Sequence, residues 1–459
     1  MRGWGYAIYL LLIDLTSYYT SLFLAVQTRS LLDYLPLGLE PYLHNFPHYL
    51  GFIWMPAVFI LFFSLNTLYT SRRSFWLDLR EIFRSVITSV VVIMAIVSLA
   101  KMSDVVSRLT VGFLGIYSLL VFPAFRRLLK PLAHSNGLFL SRLLFIGKDS
   151  LALEISRSFG RDSYIGFKVC GFVEEKDISS IGEVLEKEEA DAVVIAGTDL
   201  SGERLTSLVN RVQRIAREVF LVPNMRGLSV LGSELYYLFL ESTLIIRIRN
   251  NLMSPYRRFL KRSFDLLLSI LLIPLLIPLF IIIAILIKID SPGPVFFRHR
   301  RVGKGGKEFH VLKFRTMHVD AEKRLKELLE NDSEARREWE RFYKLKNDPR
   351  ITRVGRFLRK TSLDELPQVI NVLKGEMSFV GPRPVVEEEL FKYYGDRSVY
   401  YLMTRPGITG LWQVSGRNLL TYEERVELDT WYVMNWNMWL DVVILIKTVG
   451  AVVKGEGAR

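Results

Sequence analysis

Residues 263–287 read SFDLLLSILLIPLLIPLFIIIAILI, a stretch whose one charge is Asp265. As a single straight helix it would extend about 37 Å, enough to cross a bilayer core. Basic residues stand at both ends, however: Arg257, Arg258, Lys261 and Arg262 before it, Lys288, Arg298, Arg300 and Arg301 after it. A positive-inside bias therefore gives it no outward direction. Pro274 and Pro278 fall at its middle, where each removes a backbone donor and bends a helix. These features predict a helix-break-helix hairpin over 263–288 that enters one leaflet and returns, so that the chain after it stays on the side where nucleotides are found. At its mouth, Lys261, Arg262 and Asp265 are placed either to snorkel to headgroup phosphates or to pair with one another at helical spacing.

Working outward, the rest of the chain is also divided between apolar and aqueous parts. It has 459 residues, 50% hydrophobic and 12% aromatic, with 23% charged. That is too long for one average domain and too apolar for disorder. Cys170 is the sole cysteine, which excludes an internal disulfide and a CxxC zinc or redox site. The net charge of +13 suits anionic lipid, nucleic acid or phosphorylated substrates alike.

Four apolar blocks, Trp4–Val26, Tyr49–Tyr69, Ser85–Ala100 and Leu109–Leu129, predict four transmembrane helices within residues 1–135. Arg72, Arg73, Arg80 and Arg84 follow the second block and Arg126, Arg127 and Lys130 the fourth, whereas residues 27–48 carry Arg29 alone of the basic pair of residue types. Both ends of this bundle are expected on the cytoplasmic side. Asp14 interrupts the first block, which argues against a cleaved leader; with no second intramembrane charge in view, it reads as a helix-packing carboxylate rather than part of a transport path.

Residues 136–250 alternate short β-branched runs (Arg142–Gly147, Phe167–Val173, Asp191–Gly197, Val219–Pro223, Thr243–Ile248) with amphipathic stretches, predicting an α/β domain with a largely parallel, Rossmann-like sheet. The turn after the first strand departs from a dinucleotide fingerprint. Gly147, Asp149 and Ala152 occupy the three positions, and a carboxylate at the second would repel a pyrophosphate. The YxxxK pair, Tyr164 and Lys168, lies too near that strand to be a distant proton-transfer pair. A membrane-anchored nucleotide-sugar dehydratase is disfavoured on both counts, and the domain is expected to be structural or oligomerising.

The chemistry concentrates in residues 348–384, DPRITRVGRFLRKTSLDELPQVINVLKGEMSFVGPRP. Arg350, Arg353, Arg356 and Arg359 recur every third residue, predicting a polyanion surface. Asp364 and Glu365 follow. Ser362-x-x-Glu365 matches a capping box, which Pro367 weakens by its closeness to the first helical turn. At a helix start, the positive end would favour an ionised Asp364 and a bound phosphate. One carboxylate could then attack phosphorus while the other holds a divalent cation, with magnesium the natural ion because it prefers one or two carboxylates plus substrate phosphates. Lys313 and Arg315, the Gly381-Pro382-Arg383-Pro384 turn, and Arg405, Gly407, Gly410 and Arg417 add basic and glycine signals. The apolar tail, residues 436–453, fits either a membrane-interface helix or packing on the catalytic part.

KRxFD at Lys261–Asp265, the proline-broken block, KFRTM at Lys313–Met317, DELPQ at Asp364–Gln368 and GPRP at Gly381–Pro384 together resemble the polyprenyl-phosphate glycosyl-1-phosphate transferases of the bacterial sugar transferase family. The likeness is specific over roughly the last 200 residues, and the bundle and middle domain extend it to the large members that transfer galactose 1-phosphate. It implies three domains, 1–135, 136–250 and 251–459, the last an α-rich monotopic catalytic domain at the cytoplasmic face of the bacterial inner membrane. It implies that Asp364 attacks a UDP-sugar and that undecaprenyl phosphate then takes up the sugar phosphate. Glu365, with Asp364, would hold Mg2+. Arg359, Arg383 between Pro382 and Pro384, Lys313, Arg315 and Arg301 would bind substrate, and Lys261, Arg262, Asp265, Pro274 and Pro278 would anchor the membrane part. A homodimer is expected, and no nucleic acid partner. Where the family often has glutamine in FxQxRxG, this chain has His299, between Phe297 and Arg301. The preference for galactose over glucose rests on the resemblance alone. A catalytically silent scaffold or sensor for polysaccharide assembly is the rival class, against which the intact Asp-Glu pair argues.

Overall fold

The computed structural model describes every residue except 1, 37–40, 175–180, 197–201, 224–232, 239–242, 249, 333, 335, 338–344, 346–347, 417–418 and 454–459. The chain forms two compact units, Met1–Arg226 and Gly227–Arg459.

The first unit begins with helices Arg2–Leu31, Phe75–Leu99 and Arg108–Ser135, each long and apolar enough to cross a membrane. The second expected span differs. It is divided into Phe46–Leu50 and a 12-residue helix, Trp54–Leu65, which rises only about 18 Å. Pro56 lies in the first turn of the latter, where its ring clashes with any helix continuing from upstream, and Thr67 at φ 54° closes the far end. Leu22, Phe59, Phe63, Val86, Ile93, Leu114 and Phe122 form the interior of the bundle.

Asp14 does have a charged partner. Its carboxylate accepts Arg126 Nε at 2.9 Å and Nη2 at 2.6 Å, both side chains being buried. Beside them Lys130 Nζ and the Tyr164 hydroxyl each donate to Asp78 Oδ2 at 2.8 Å. The last helix runs on to Ser135, so Arg126 and Lys130, which look like loop charges in a hydropathy profile, sit on its inner face. Two anions and two cations cancel, which is how such charges are tolerated in a core.

Strands β1 (Ser141–Ile146), β2 (Phe167–Val173), β3 (Ala192–Ala196) and β4 (Glu218–Val222) form one parallel sheet in the order β2-β1-β3-β4. The expected fifth strand is elsewhere. β5 (Glu234–Leu238) and β6 (Thr243–Arg247) pair antiparallel within the second unit, because a short connection permits a hairpin whereas a parallel partner needs a crossover of a dozen residues or more. After β1, Gly147 is at φ 106°, and Asp149 caps helix Ser150–Arg161 by accepting the Ala152 N–H at 2.9 Å. That carboxylate takes the helix terminus a pyrophosphate would need. Tyr164 spends its hydroxyl on Asp78, leaving no proton-transfer pair with Lys168.

In the second unit, the expected break over 263–288 does not form: helix Pro255–Asp290 is 36 residues long and stays helical through Pro274 and Pro278. Its middle is bare, Leu275 being 74% exposed. Both its ends are held by the same unit. Arg262 donates to Val372 O and Leu373 O at 2.6 and 2.8 Å, and Asp290 Oδ2 accepts the Val354 N–H at 2.8 Å. The unit also contains hairpin β7 (Phe296–Val302) and β8 (Glu308–Phe314), helices Arg353–Thr361, Gln368–Lys374 and Tyr422–Asn435, and short parallel strands β9 (Ser378–Val380) and β10 (Gly407–Thr409). The tail helix Met438–Val453 packs inward, with Trp436 and Ile444 buried in the same core as Val372, Phe379 and Tyr432.

Candidate active site

Helix Arg353–Thr361 starts with Thr352 accepting the Gly355 N–H at 2.9 Å. A Cβ on Gly355 would lie 2.1 Å from Thr316 O, so glycine lets this helix press against the end of β8. Ser362 at φ 57° terminates it, Leu363–Glu365 makes a single 3₁₀ turn, and Gln368–Lys374 follows Pro367. The capping box expected of Ser362 and Glu365 does not form: the Ser362 side chain makes no cap bond, and Glu365 turns to Lys313. Asp364 and Glu365 thus project from a tight corner between two helices.

Lys313 reaches this corner from β8 and donates Nζ to Glu365 Oε1 at 2.6 Å. Burial pushes the Glu365 carboxyl up, but Lys313 and Arg383 overcome it and hold the group below the usual glutamate range. Asp364 goes the other way. Burial and the Glu365 charge raise it, against opposition from Lys313 and Arg359. The helix-end effect expected to favour an ionised Asp364 is outweighed, since the Gln368–Lys374 helix begins beyond it. The two carboxylates are set apart in proton affinity, the arrangement that assigns neighbouring acids different roles.

Of the arginine run, Arg359 alone among the described side chains comes to the corner, its Nε donating to Thr316 Oγ1 at 2.9 Å. Arg350 is taken by Asp348 in a two-oxygen pair, and Arg353 and Arg356 are exposed. A spacing of three precesses by about 60° per step on a helix of 3.6 residues per turn, so the cations cannot line one side. Arg383 arrives from the loop after β9, with Cζ 5.9 Å from the Trp412 ring; Arg425 Cζ lies over the same ring at 4.8 Å. Pro382 O accepts the Gly407 N–H at 2.8 Å, and Pro384 flanks the turn half-buried. Arg301 on β7 is within electrostatic reach of Arg383 and Glu389. His299, two residues earlier on the same strand face, is pushed down first by desolvation and then by Arg301 and Lys313.

Other expected site residues hold the frame. Arg315 Nη1 donates to Pro292 O at 2.8 Å and Nη2 to Ser291 O, capping the end of the long helix instead of facing the corner. Lys261 neither snorkels nor pairs with Asp265: its Nζ is buried against Asp441 Oδ2 at 2.7 Å and Val380 O at 3.0 Å. Asp265 accepts Ser378 Oγ and the Phe379 N–H. Arg262 caps the C-terminus of Gln368–Lys374, a favourable site for a cation. Arg405 donates to Gly375 O at 2.7 Å, and Arg417 lies outside the described residues. Sequence reasoning assigned no role to Thr316, although it stands within KFRTM, and missed Trp412 and Arg425, which meet Arg383 only in the fold.

Among the described residues no group of three or more His, Cys, Asp or Glu side chains could enclose a metal. Two carboxylates, one held ionised, nevertheless fit a magnesium ion that draws its remaining ligands from substrate phosphates and water.

A carboxylate pair ringed by lysine and arginine, beside a long apolar helix, defines a site for phosphorylated substrates. The chain belongs to the bacterial sugar transferase family, whose model matches residues 256–455. It is 40% identical over 404 residues, 85% of this chain and 84% of the relative, to the UDP-galactose-lipid carrier transferase of Erwinia amylovora. It is 40% identical over 403 residues, again 85% and 84%, to the undecaprenyl-phosphate galactose phosphotransferase of Salmonella typhimurium. It is 34% identical over 313 residues, 64% of each chain, to the UDP-glucose:undecaprenyl-phosphate glucose-1-phosphate transferase of Escherichia coli.

Proposed function

We propose that this protein transfers a hexose 1-phosphate, galactose 1-phosphate first among the candidates, from a UDP-sugar to undecaprenyl phosphate, starting a repeat unit of a bacterial surface polysaccharide. The observation that carries this reading is the corner itself, adjacent Asp364 and Glu365 with Lys313 Nζ 2.6 Å from Glu365 Oε1 and the charges of Arg359 and Arg383 within reach. The more basic Asp364 attacks the β-phosphorus; the bond from that phosphorus to the bridging oxygen breaks, and UMP leaves with the oxygen. The aspartyl phosphosugar is then attacked at phosphorus by an oxygen of undecaprenyl phosphate, which restores the Asp364 carboxylate and yields the lipid diphosphate sugar. Arg359 and Arg383 bind the phosphate oxygens, and Lys313 keeps Glu365 ionised. A magnesium ion on Glu365, shared with Asp364, would neutralise diphosphate charge.

The long helix is proposed to be re-entrant, the catalytic part lying at the cytoplasmic face. Support comes from both helix ends being bound to one unit while the middle is bare, which brings a water-soluble donor and a lipid acceptor to one height. The sheet of the first unit is proposed as a Rossmann-like structural domain. A C-terminal tag protected in intact cells is the expected result; an accessible one refutes re-entry.

The reaction is tested by UMP release with UDP-galactose and UDP-glucose in the presence of undecaprenyl phosphate. Asp364→Asn should abolish release and any covalent adduct. A sugar-phosphate mass found on another peptide of the trapped enzyme ends the nucleophile assignment.

A further inference from the structure

Among the described residues β7 and β8 form a two-stranded sheet, so β8 has one edge with no strand beside it. Antiparallel pairing turns the main-chain groups of successive residues alternately toward the partner strand and away from it. The Leu312 N–H and the His310 carbonyl both face the open edge, and one buried amide takes them. Asn371, on helix Gln368–Lys374, is 1% exposed. Its Oδ1 accepts the Leu312 N–H at 3.0 Å, and its Nδ2 donates to His310 O at 2.7 Å and to Glu376 Oε2 at 2.6 Å. Bonding the N–H and the carbonyl on either side of Val311 is what one residue of a parallel strand would do. An amide alone offers an acceptor and two donors on one planar group. A carboxylate here would set oxygen against oxygen at His310 and Glu376, and an alkyl chain would leave the strand edge unbonded.

Lys313 follows Leu312 directly, and its Nζ lies 2.6 Å from Glu365 Oε1. Asp364 and Glu365 stand in the 3₁₀ turn just before the helix that carries Asn371. The carboxylate that Lys313 binds and the amide that fixes its strand are thus about one helical turn apart. We propose that Asn371 is a positioning residue for Lys313: its side chain stands in for a strand along the free edge of β8 and sets the reach of the Lys313 ammonium to the Asp364–Glu365 corner. The hold on the strand is independent of the reaction; its consequence for Asp364 as nucleophile rests on the function given above. When the edge is released, Lys313 withdraws from both acids. Asp364 then faces Glu365 and Arg359, and Glu365 faces Arg383 and Gln368. Burial already raises Asp364, and Lys313 opposes it, so withdrawal of the ammonium moves Asp364 further up.

The test reads hold and consequence separately in the full-length protein. By hydrogen exchange, the Leu312 amide should be protected in wild type and exchange about tenfold faster in Asn371→Leu, while the Val311 and Lys313 amides, which face β7, keep their protection. A wild-type Leu312 amide exchanging at its intrinsic rate overturns the proposal, and this arm needs no variant. The titration of Asp364 is read without substrate, as the carboxyl infrared band that Asp364→Asn removes. Asn371→Leu should move that titration to higher pH, by no more than Lys313→Met does, and should add nothing in a Lys313→Met background. A merely structural Asn371 would cost stability and leave the titration where it is in wild type. That result, or a further shift in the double variant, overturns the proposal. Should Asn371→Leu fail to fold, Asn371→Ala takes its place, because the space it opens faces an N–H, a carbonyl and a carboxylate and admits a water. Glu376→Gln keeps an acceptor for Nδ2 and should leave the titration unmoved; a shift as large as that of Asn371→Leu would assign the effect to the Glu376 charge instead. In turnover, the acid limb of kcat/KM for UMP release should follow the infrared titration. An enzyme that releases no UMP from any UDP-sugar sinks the proposed reaction, with exchange and infrared still deciding the role of Asn371.

Discussion

Lys313 Nζ lies 2.6 Å from Glu365 Oε1, and the same ammonium is the largest influence lowering Asp364. One cation therefore serves two adjacent carboxylates unequally. Glu365 receives a direct hydrogen bond and stays ionised; Asp364 receives only the field, which burial outweighs. The family motif places two acids side by side, and a lysine 51 positions before the first of them bonds to the second and leaves the first the more basic.

Replacing Lys313 with methionine tests that division. The proposed attack requires ionised Asp364, so activity should rise with pH through its titration. Removing the charge raises Asp364 further and releases Glu365 upward, so the acid limb of kcat/KM for UMP release moves to higher pH. An acid limb unmoved in Lys313→Met would falsify the assignment of Asp364 as the titrating nucleophile.

The pair of Lys261 with Asp441 predicts a stability effect remote from the chemistry. Lys261→Met strands a buried carboxylate beside Tyr432 and Trp436, costing about 3–5 kcal/mol. Adding Asp441→Asn removes the stranded charge and should recover much of that loss. Thermal unfolding of both variants gives the coupling; additive losses exclude it.

What could be read from sequence followed physical range. The four parallel strands, the Asp149 departure from a nucleotide turn and the corner acids are local patterns, and they stand where spacing put them. Asp14 was legible as a packing carboxylate but its partner was not, because Arg126 is 112 positions away and hydropathy ends the helix before its charged inner face does. Lys261 offered only local partners to a reader, whereas Asp441 arrives from the far end of the chain. The three-residue arginine spacing misled for the opposite reason: it is a local regularity that helical geometry disperses.

Arg315 and Arg383 look alike as candidate phosphate ligands, and their replacement by lysine should separate them. Arg315→Lys loses the planar fork that spans Pro292 O and Ser291 O, lowering stability by about 1–3 kcal/mol with little change in KM for donor. Arg383→Lys should do the reverse, raising KM while leaving the unfolding temperature near wild type. Equal KM effects would return Arg315 to the binding site.

The Arg383 turn is built on a backbone knot that admits no side chain. A Cβ on Gly407 would fall 2.1 Å from Gly381 N and 2.4 Å from Thr409 O, and one on Gly381 would fall 2.5 Å from Arg405 O. These neighbours are main chain and cannot swing away. Gly407→Ala must therefore push β9 and β10 apart at the point where Pro382 O accepts the Gly407 N–H, displacing Arg383 from Glu365. We expect kcat/KM to fall about a hundredfold, since small misplacement of a binding group is costly. The control is Gly305→Ala in the β7–β8 turn, at φ 67° with open space around it, where left-handed strain of about 1 kcal/mol should lower the unfolding temperature without changing turnover. Comparable activity in the two variants would mean that the turn bearing Arg383 is not held by the glycine knot.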